Sequence, residues 1–293
     1  MGSLDYRALA VLDAVASHGS FEKAAVALGI SQSAVSQRIK ALEDASGRLL
    51  IIRGQPAVPT GLGQRLITHH RHVTLMEASL DIDLGNTVSM PELAIAIDDD
   101  SLATWFPATL APLLAPPRCQ LDVRLADSDA ALQMVRDGTV FGCVASDTGT
   151  DVHATSVTPL GTLRHVCVAT PMFAGHWFGD GFSADAVQLA PAVVGQHSLL
   201  ARFLAEQLDL HAPFPHHRLP VAAARRACIE DGLAYGLMPQ RLAAQYLATD
   251  RLLDLAPGRT VDVPLHWHAW SLDTPFTKLL SEQIVRSARA WLN

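Results

Sequence analysis

Between Ser20 and Glu43 the apolar and polar positions change phase once, and the break falls on a glycine. Ala24, Ala25 and Leu28 recur at helical spacing and predict an inward face. Ser20 precedes them as an N-cap, and Gly29 follows at the left-handed position where such a helix stops. Ser31 then caps a second helix, on which Val35, Ile39 and Leu42 form one narrow apolar stripe. Gln32, Ser33, Ser36, Gln37 and Lys40 share another face. Amides pair with adenine edges and hydroxyls bond bases or phosphates, so that face suits the major groove of DNA. Arg38, on the flank, is expected at a phosphate. An ordinary amphipathic helix pair would also carry polar residues, but the next segment argues against it. Leu49–Ile52 is a short β run, Arg53-Gly54-Gln55-Pro56 turns it, and Val58-Pro59-Thr60 returns it. A hairpin of that size beside a helix-turn-helix is a wing, with Arg53 placed for the DNA backbone or minor groove.

From Thr60 the period changes again. Leu62, Leu66, His69, Val73, Met76 and Leu80 alternate spacings of four and three, a heptad seam. So narrow a seam predicts burial by another helix, in a second chain or in the same domain, with His69 as a polar break in register. Leu84–Thr87 ends the helix. Beyond it strands and helices alternate. Strands are expected at Leu93–Ile97, Leu121–Leu125, Val140–Ala145, Arg164–Ala169, Ala192–Gly195, Arg218–Val221, Gly236–Met238 and Leu265–Ser271. The helices expected between and after them are Ser101–Leu114, Asp129–Asp137, Leu199–Leu208, Ala223–Asp231 and Phe276–Leu292. That rhythm predicts a parallel sheet with helices on its faces. The organisation expected is therefore an N-terminal all-α, winged helix-turn-helix domain over 1–60, a linker helix and hinge over 61–90, and an α/β region over 91–293.

Composition adds limits. The 293 residues allow two or three domains, and the net charge of −7 sits oddly with DNA binding until it is divided. Residues 1–60 carry six basic and five acidic side chains, residues 91–293 fourteen and twenty-one. A near-neutral DNA-binding end neutralises few phosphates per chain and needs more than one subunit. The N-terminal MGSLDYRALA lacks a signal peptide's apolar run, and no stretch is long enough to span a membrane, so a cytoplasmic protein is expected. Cys119, Cys143, Cys167 and Cys228 are far apart and read as buried free thiols. The histidine groups His69, His70, His72 and His266, His268 lack matching carboxylates or thiols at ligand spacing, so no metal or other cofactor is expected. The G-x-S-x-G, G-x-x-x-x-G-K-[ST] and H-E-x-x-H motifs are missing, and no nucleophile has an evident base, which points away from an enzyme.

The run SQSAVSQRIKALE, followed by a G-x-x-L segment, an arginine and the Pro59-Thr60 helix start, resembles the LysR-type transcriptional regulators. Asp5-Tyr6-Arg7, Ser101–Phe106 and Pro264–Trp267 resemble the branch that controls basic amino-acid exporters. The resemblance implies a ligand-responsive regulator of double-stranded promoter DNA, with Thr60 added to the DNA-contacting set. It implies a homodimer, extended to a homotetramer, through antiparallel linker helices, and contact with RNA polymerase. It also implies a two-lobed, periplasmic-binding-protein-like effector domain, with lobe I at about 91–163 and 269–293 and lobe II at about 164–268. The effector would be an amino acid held between the lobes.

Strand carboxyl ends meet between such lobes, which makes Asp98-Asp99-Asp100-Ser101 the most pointed feature. Ser101 is expected as N-cap, with its hydroxyl and the first free N–H groups taking the ligand carboxylate. Asp98 and Asp100 would hold an ammonium, and Trp105 would wall the pocket. Asp127 and Ser146 end the next two strands. The exporter-regulator pattern carries acids where this chain has Ala126 and Ala223, and no cation at Arg225. A basic amino acid is expected, with a neutral one or another small molecule as the alternative. A solute-binding or catalytic α/β protein is the rival class.

Overall fold

The computed structural model describes residues 4–84, 92–114, 120–146, 155–195, 199–272 and 274–292. Residues 85–90 of the expected linker and hinge, and Cys119, lie outside the described residues. The N-terminal unit contains helices α1 (Tyr6–His18), α2 (Phe21–Leu28) and α3 (Gln32–Ser46) and a wing of β1 (Ile51–Ile52) and β2 (Val58–Pro59). Helix α4 (Gly61–Asp83) leads away from it. Ser20 Oγ accepts from Lys23 N and Ser31 Oγ from Ala34 N, and Gly29 closes α2 at φ 64°. The expected caps are therefore present. Ala24, Ala25, Val35 and Ile39 are buried with Leu9, Leu12 and Val15 of α1 in one core. Leu28 is a correction: at the last position of an eight-residue helix it is 37% exposed. The wing is tied to α3 by Glu43, whose Oε1 accepts from Leu50 N at 2.8 Å and Ile51 N at 3.3 Å. Gly63 must be glycine: a Cβ there would lie 2.1 Å from Leu50 O.

The α/β region follows the order β3 (Glu92–Ile97), α5 (Asp99–Ala103), α6 (Pro107–Leu114), β4 (Gln120–Leu125), α7 (Ser128–Arg136), β5 (Gly142–Ala145) and β6 (Thr155–Ala169). It continues with α8 (Pro171–Trp177), α9 (Ala184–Val187), β7 (Ala192–Val194), α10 (Leu199–Leu208), β8 (His216–Arg218), α11 (Ala222–Glu230) and β9 (Tyr235–Pro239). Last come α12 (Gln240–Leu247), β10 (Leu253–Asp254), β11 (Val261–Trp270) and α13 (Pro275–Leu292). The strands run β4-β3-β5-β11-β6-β9-β7-β8, with β10 against β6. Strands β3, β4 and β5 are mutually parallel, as are β7, β8 and β9. The fifteen-residue β6 and ten-residue β11 pair antiparallel along their length and join the two parallel halves. These long strands are a correction to the shorter ones the sequence predicts, and they make the sheet mixed. Each half has its own core. Trp105, Phe106, Trp267 and Ile284 lie in lobe I, and Phe173, Phe178, Phe203 and Tyr235 in lobe II. Cys143 and Cys167 are buried free thiols, and burial pushes the Cys143 thiol up to about 12.

The single helix expected over Ser101–Leu114 is instead two. Thr104 leaves helical geometry, and Pro107 disfavours helical backbone at Phe106 before it starts α6. The seam on α4 also divides. Leu62 and Leu66 pack on the core of their own N-terminal unit, and His69 pairs with Tyr6 Oη at 3.1 Å. Val73 is half-buried, while Met76 and Leu80 stand 44% and 57% exposed. The other side of α4 rests on lobe I. Gln64 Nε2 and Thr68 Oγ1 donate to Asp137 O, and Arg71 Nη1 donates to Gly138 O at 3.0 Å. Arg71 also pairs with Asp13 of α1 at 2.6 Å, and His72 packs edge-on against Trp270 at 4.4 Å.

Candidate DNA-binding face and effector cleft

The α3 surface carries Gln32, Ser33, Gln37, Arg38 and Lys40 exposed and Ser36 half-buried, opposite the buried Val35 and Ile39. Ser33 Oγ lies 2.9 Å from Ser31 Oγ, so the capping serine also steadies the first side chain of this face. Arg53 stacks its guanidinium 5.4 Å over the Phe21 ring, which holds an exposed cation beside α2. Thr60 has a different task. Its hydroxyl donates to Leu49 O and accepts from Gly63 N, so it caps α4 and locks it to the wing. Amides, hydroxyls and flanking cations on an exposed helix beside a wing are what a DNA-reading surface needs.

Between the lobes lies a cavity of about 620 Å³, in the range of small-molecule sites. Asp98, Asp100, Asp127 and Ser146 line it. Ser146 N donates to Ser128 Oγ at 2.9 Å, and Asp127 Oδ1 caps α7 through Ala130 N. Two expected residues do not reach the cavity. Ser101 is fully buried within α5, and Asp98 is the cap, accepting from Ser101 N at 2.8 Å. Aspartate competes well for a helix N-terminus, and here it takes the N–H group expected to meet a carboxylate. With three carboxylates at the start of a five-residue helix, a further carboxylate is repelled there. Trp105 is 1% exposed and packs T-shaped on Phe106 at 5.9 Å, because the break at Thr104 turns it into the lobe I core.

The structure adds residues that the sequence reading had not assembled. Arg225, on α11 in lobe II, is buried and reaches across to lobe I. Its Nη1 contacts Asp99 Oδ2 and its Nη2 contacts Asp100 Oδ1, both at 2.9 Å. Nη1 also donates to Leu219 O at 3.1 Å and Pro220 O at 3.3 Å. His165 Nε2 lies 3.3 Å from the other Asp100 oxygen. Burial opposes ionisation of Asp100, but His165 and Arg225 outweigh it and hold the carboxyl below its ordinary value. Asp98 shows the reverse. Burial, aided by the like charges of Asp100 and Asp99, pushes its carboxyl up to about 6. Among the described residues, no group of three or more His, Cys, Asp or Glu is arranged to hold a metal ion. No helix among them is long and apolar enough to cross a membrane.

Residues 6–64 match the profile of the bacterial regulatory helix-turn-helix protein, lysR family, and residues 86–289 that of the LysR substrate binding domain. The chain belongs to the LysR family of transcriptional regulators. It is similar to the HTH-type transcriptional regulator ArgP of Pseudomonas fluorescens (strain Pf0-1), 37% identical over 98% of each chain. Among solved structures, it matches ArgP from Mycobacterium tuberculosis with a TM-score of 0.87 and 32% identity over 99% of each chain. Full-length LysG from Corynebacterium glutamicum with bound effector Arg matches with a TM-score of 0.79 and 32% identity, over 99% of this chain and 100% of that one. This LysR-type regulator is thus a DNA-binding transcription factor, not an enzyme.

Proposed function

We propose that this LysR-type regulator senses an amino acid in the cleft between its lobes and controls an amino-acid exporter gene of the kind that handles lysine or arginine. The observation that carries the reading is the cavity itself. It lies at strand carboxyl ends, and Asp98, Asp127 and Ser146 on its lobe I wall supply groups that suit an ammonium. The full-length similarity to ArgP proteins and to LysG, whose structure contains arginine, supports an amino acid over other small molecules. Gln32, Ser33, Ser36 and Gln37 read bases on promoter DNA, while Arg38, Lys40 and Arg53 hold its backbone. Two chains pair through the Val73, Met76 and Leu80 side of α4, and two pairs assemble at one promoter, where they meet RNA polymerase. Such a role belongs in the cytoplasm. Effector binding shifts the balance between assemblies with a coupling of about 1–3 kcal/mol.

Sequencing the genomic DNA fragments retained by the purified protein, with and without each of the twenty amino acids, tests this. The expected result is a retained fragment upstream of a membrane-exporter gene, with retention altered by an amino acid. Retained fragments that flank no transporter gene, and that respond to no amino acid, would sink the proposal.

A further inference from the structure

The cleft is built around a cation that belongs to the chain. Arg225 joins Asp99 and Asp100 of one lobe to the Leu219 and Pro220 carbonyls of the other, and its guanidinium makes four hydrogen bonds there. Its side chain is 10% exposed, against 25% for Asp99 and 23% for Asp100. The geometry points to Arg225 as the specificity-determining residue of the cleft: from within the chain it fills the position on Asp99 and Asp100 that a cationic effector side chain would take, so that the site selects an amino acid with an uncharged side chain over a basic one.

Three observations bear on this. First, Asp100 is engaged on both oxygens, one by Arg225 and one by His165, and Asp99 is held by the same guanidinium. A ligand cation at these carboxylates must either share them with the like charge of Arg225 or expel that side chain from a buried site, which leaves a desolvated charge without its partners. Second, the acidic groups that remain on the cavity wall are few and partly committed. Asp98 caps α5, Asp127 caps α7, and the exposed Asp129 shares the wall with the exposed cation of Arg202. These groups suit one ammonium, while Arg202 opposes a second positive charge. Third, the rest of the wall is largely apolar, with Leu125, Leu163, Val194, Leu200, Val263 and Leu265 lining the same cavity. An uncharged side chain is matched by such a wall, while a guanidinium or ammonium facing it would be desolvated without compensation.

The inference rests on the amino-acid reading and deepens it, and calorimetry on the full-length protein tests it. L-arginine and L-lysine are compared with uncharged probes (L-leucine, L-methionine, L-glutamine and L-phenylalanine) on wild type, Arg225→Gln and Arg225→Lys. Wild type is expected to bind at least one uncharged amino acid about tenfold or more tighter than either basic one, the effect of about one unpaired partly exposed charge. Arg225→Gln should shift that ratio toward the basic amino acids by about tenfold or more, and Arg225→Lys, which keeps a cation on the two aspartates, should restore the wild-type order. Wild-type preference for arginine or lysine overturns the inference even if Arg225→Gln fails to fold, and it leaves the amino-acid reading standing. An unchanged ratio in a cooperatively folded Arg225→Gln also overturns it. Binding of none of these amino acids by well-folded wild type overturns both the inference and the reading beneath it.

Discussion

Asp98 offers a direct measure of how strongly the cleft opposes negative charge. Its carboxyl is raised to about 6 by burial, with Asp100 and Asp99 adding to the effect. In the folded protein, ionising it costs about 3 kcal/mol relative to the unfolded chain, since each tenfold change in acidity is about 1.4 kcal/mol. The unfolded carboxyl loses its proton first, so between about pH 4 and pH 6 this residue makes stability fall as pH rises. Asp98→Asn fixes the neutral state and keeps a carbonyl oxygen for Ser101 N. Its amide NH2 replaces Oδ2, which is buried without a hydrogen-bond partner in the described structure, at a cost of about 1 kcal/mol. The variant should therefore be about 2 kcal/mol more stable than wild type at pH 7.5, with the advantage gone by about pH 4. Wild-type data alone would mislead, because burial lowers the His72 imidazole to about 4. That group makes stability fall as pH drops from about 6.5 to 4, the opposite slope in the same window. The difference between variant and wild type removes it. Urea unfolding followed by tryptophan fluorescence reads mainly the relevant lobe, since Trp105, Trp267, Trp270 and Trp291 belong to the lobe I core and only Trp177, of the five, packs on lobe II. A variant less stable than wild type at pH 7.5, or a difference flat across pH, would refute the reasoning.

Three further outcomes are expected. Leu80, 57% exposed on α4, can be changed to Glu with little effect on a single chain, so Leu80→Glu should leave unfolding unchanged but lower the mass by light scattering toward one chain; an unaltered mass would show that this side of α4 joins nothing. Gln32→Ala should relax sequence preference, whereas Arg38→Ala should weaken specific and random DNA alike and reduce the salt dependence by about one unit of log–log slope; equal losses on both DNAs from Gln32→Ala would refute base reading by that residue. Gly63→Ala places a Cβ 2.1 Å from Leu50 O, so α4 must shift from the wing; a loss of about 1–3 kcal/mol in thermal unfolding is expected, and wild-type stability would show that the backbone gives way freely.

The N-terminal unit was legible because its signals are local. Ser20, Gly29 and Ser31 act on residues within one turn, and the Val35–Ile39 stripe needs only helical phase to be recognised. The role of Glu43 lay seven residues from Leu50 across a change of element, and nothing in its spacing marks it as the clamp of the wing. At the cleft, the position of Asp98–Ser101 followed from a strand giving way to a helix. Its capping residue did not, because each of the four polar residues can cap and only backbone geometry selects Asp98. Trp105 was misplaced for a related reason: one turn beyond Ser101 is the pocket side only if the helix continues, and it breaks at Thr104. Arg225 stood out in the sequence as a new cation, but its partners lie 126 and 125 residues away on the other lobe, beyond any local pattern.

The route from cleft to DNA-binding face is short in structural terms. Helix α7 begins at the cavity wall with Ser128 and is capped there by Asp127. Nine residues later it ends, and the turn that follows offers the carbonyls of Asp137 and Gly138 to Gln64, Thr68 and Arg71 of α4. Arg71 in turn holds Asp13 on α1, inside the N-terminal unit. Those three bonds between α4 and lobe I contribute about 1 kcal/mol each. An effector coupling of about 1–3 kcal/mol is comparable to one to three of these bonds, whereas it cannot unpack a core whose single large side chains contribute about as much apiece. Gly138 sharpens the contrast. At φ 62° it lies so close to Thr68 that a Cβ would sit 2.5 Å from the threonine Oγ1, so small displacements of the turn are felt at once by α4. The α4–lobe I contact, made by these bonds and by the packing of His72 on Trp270 and of Leu75 on the lobe I core, thus lies between the part that holds a ligand and the part that reads DNA.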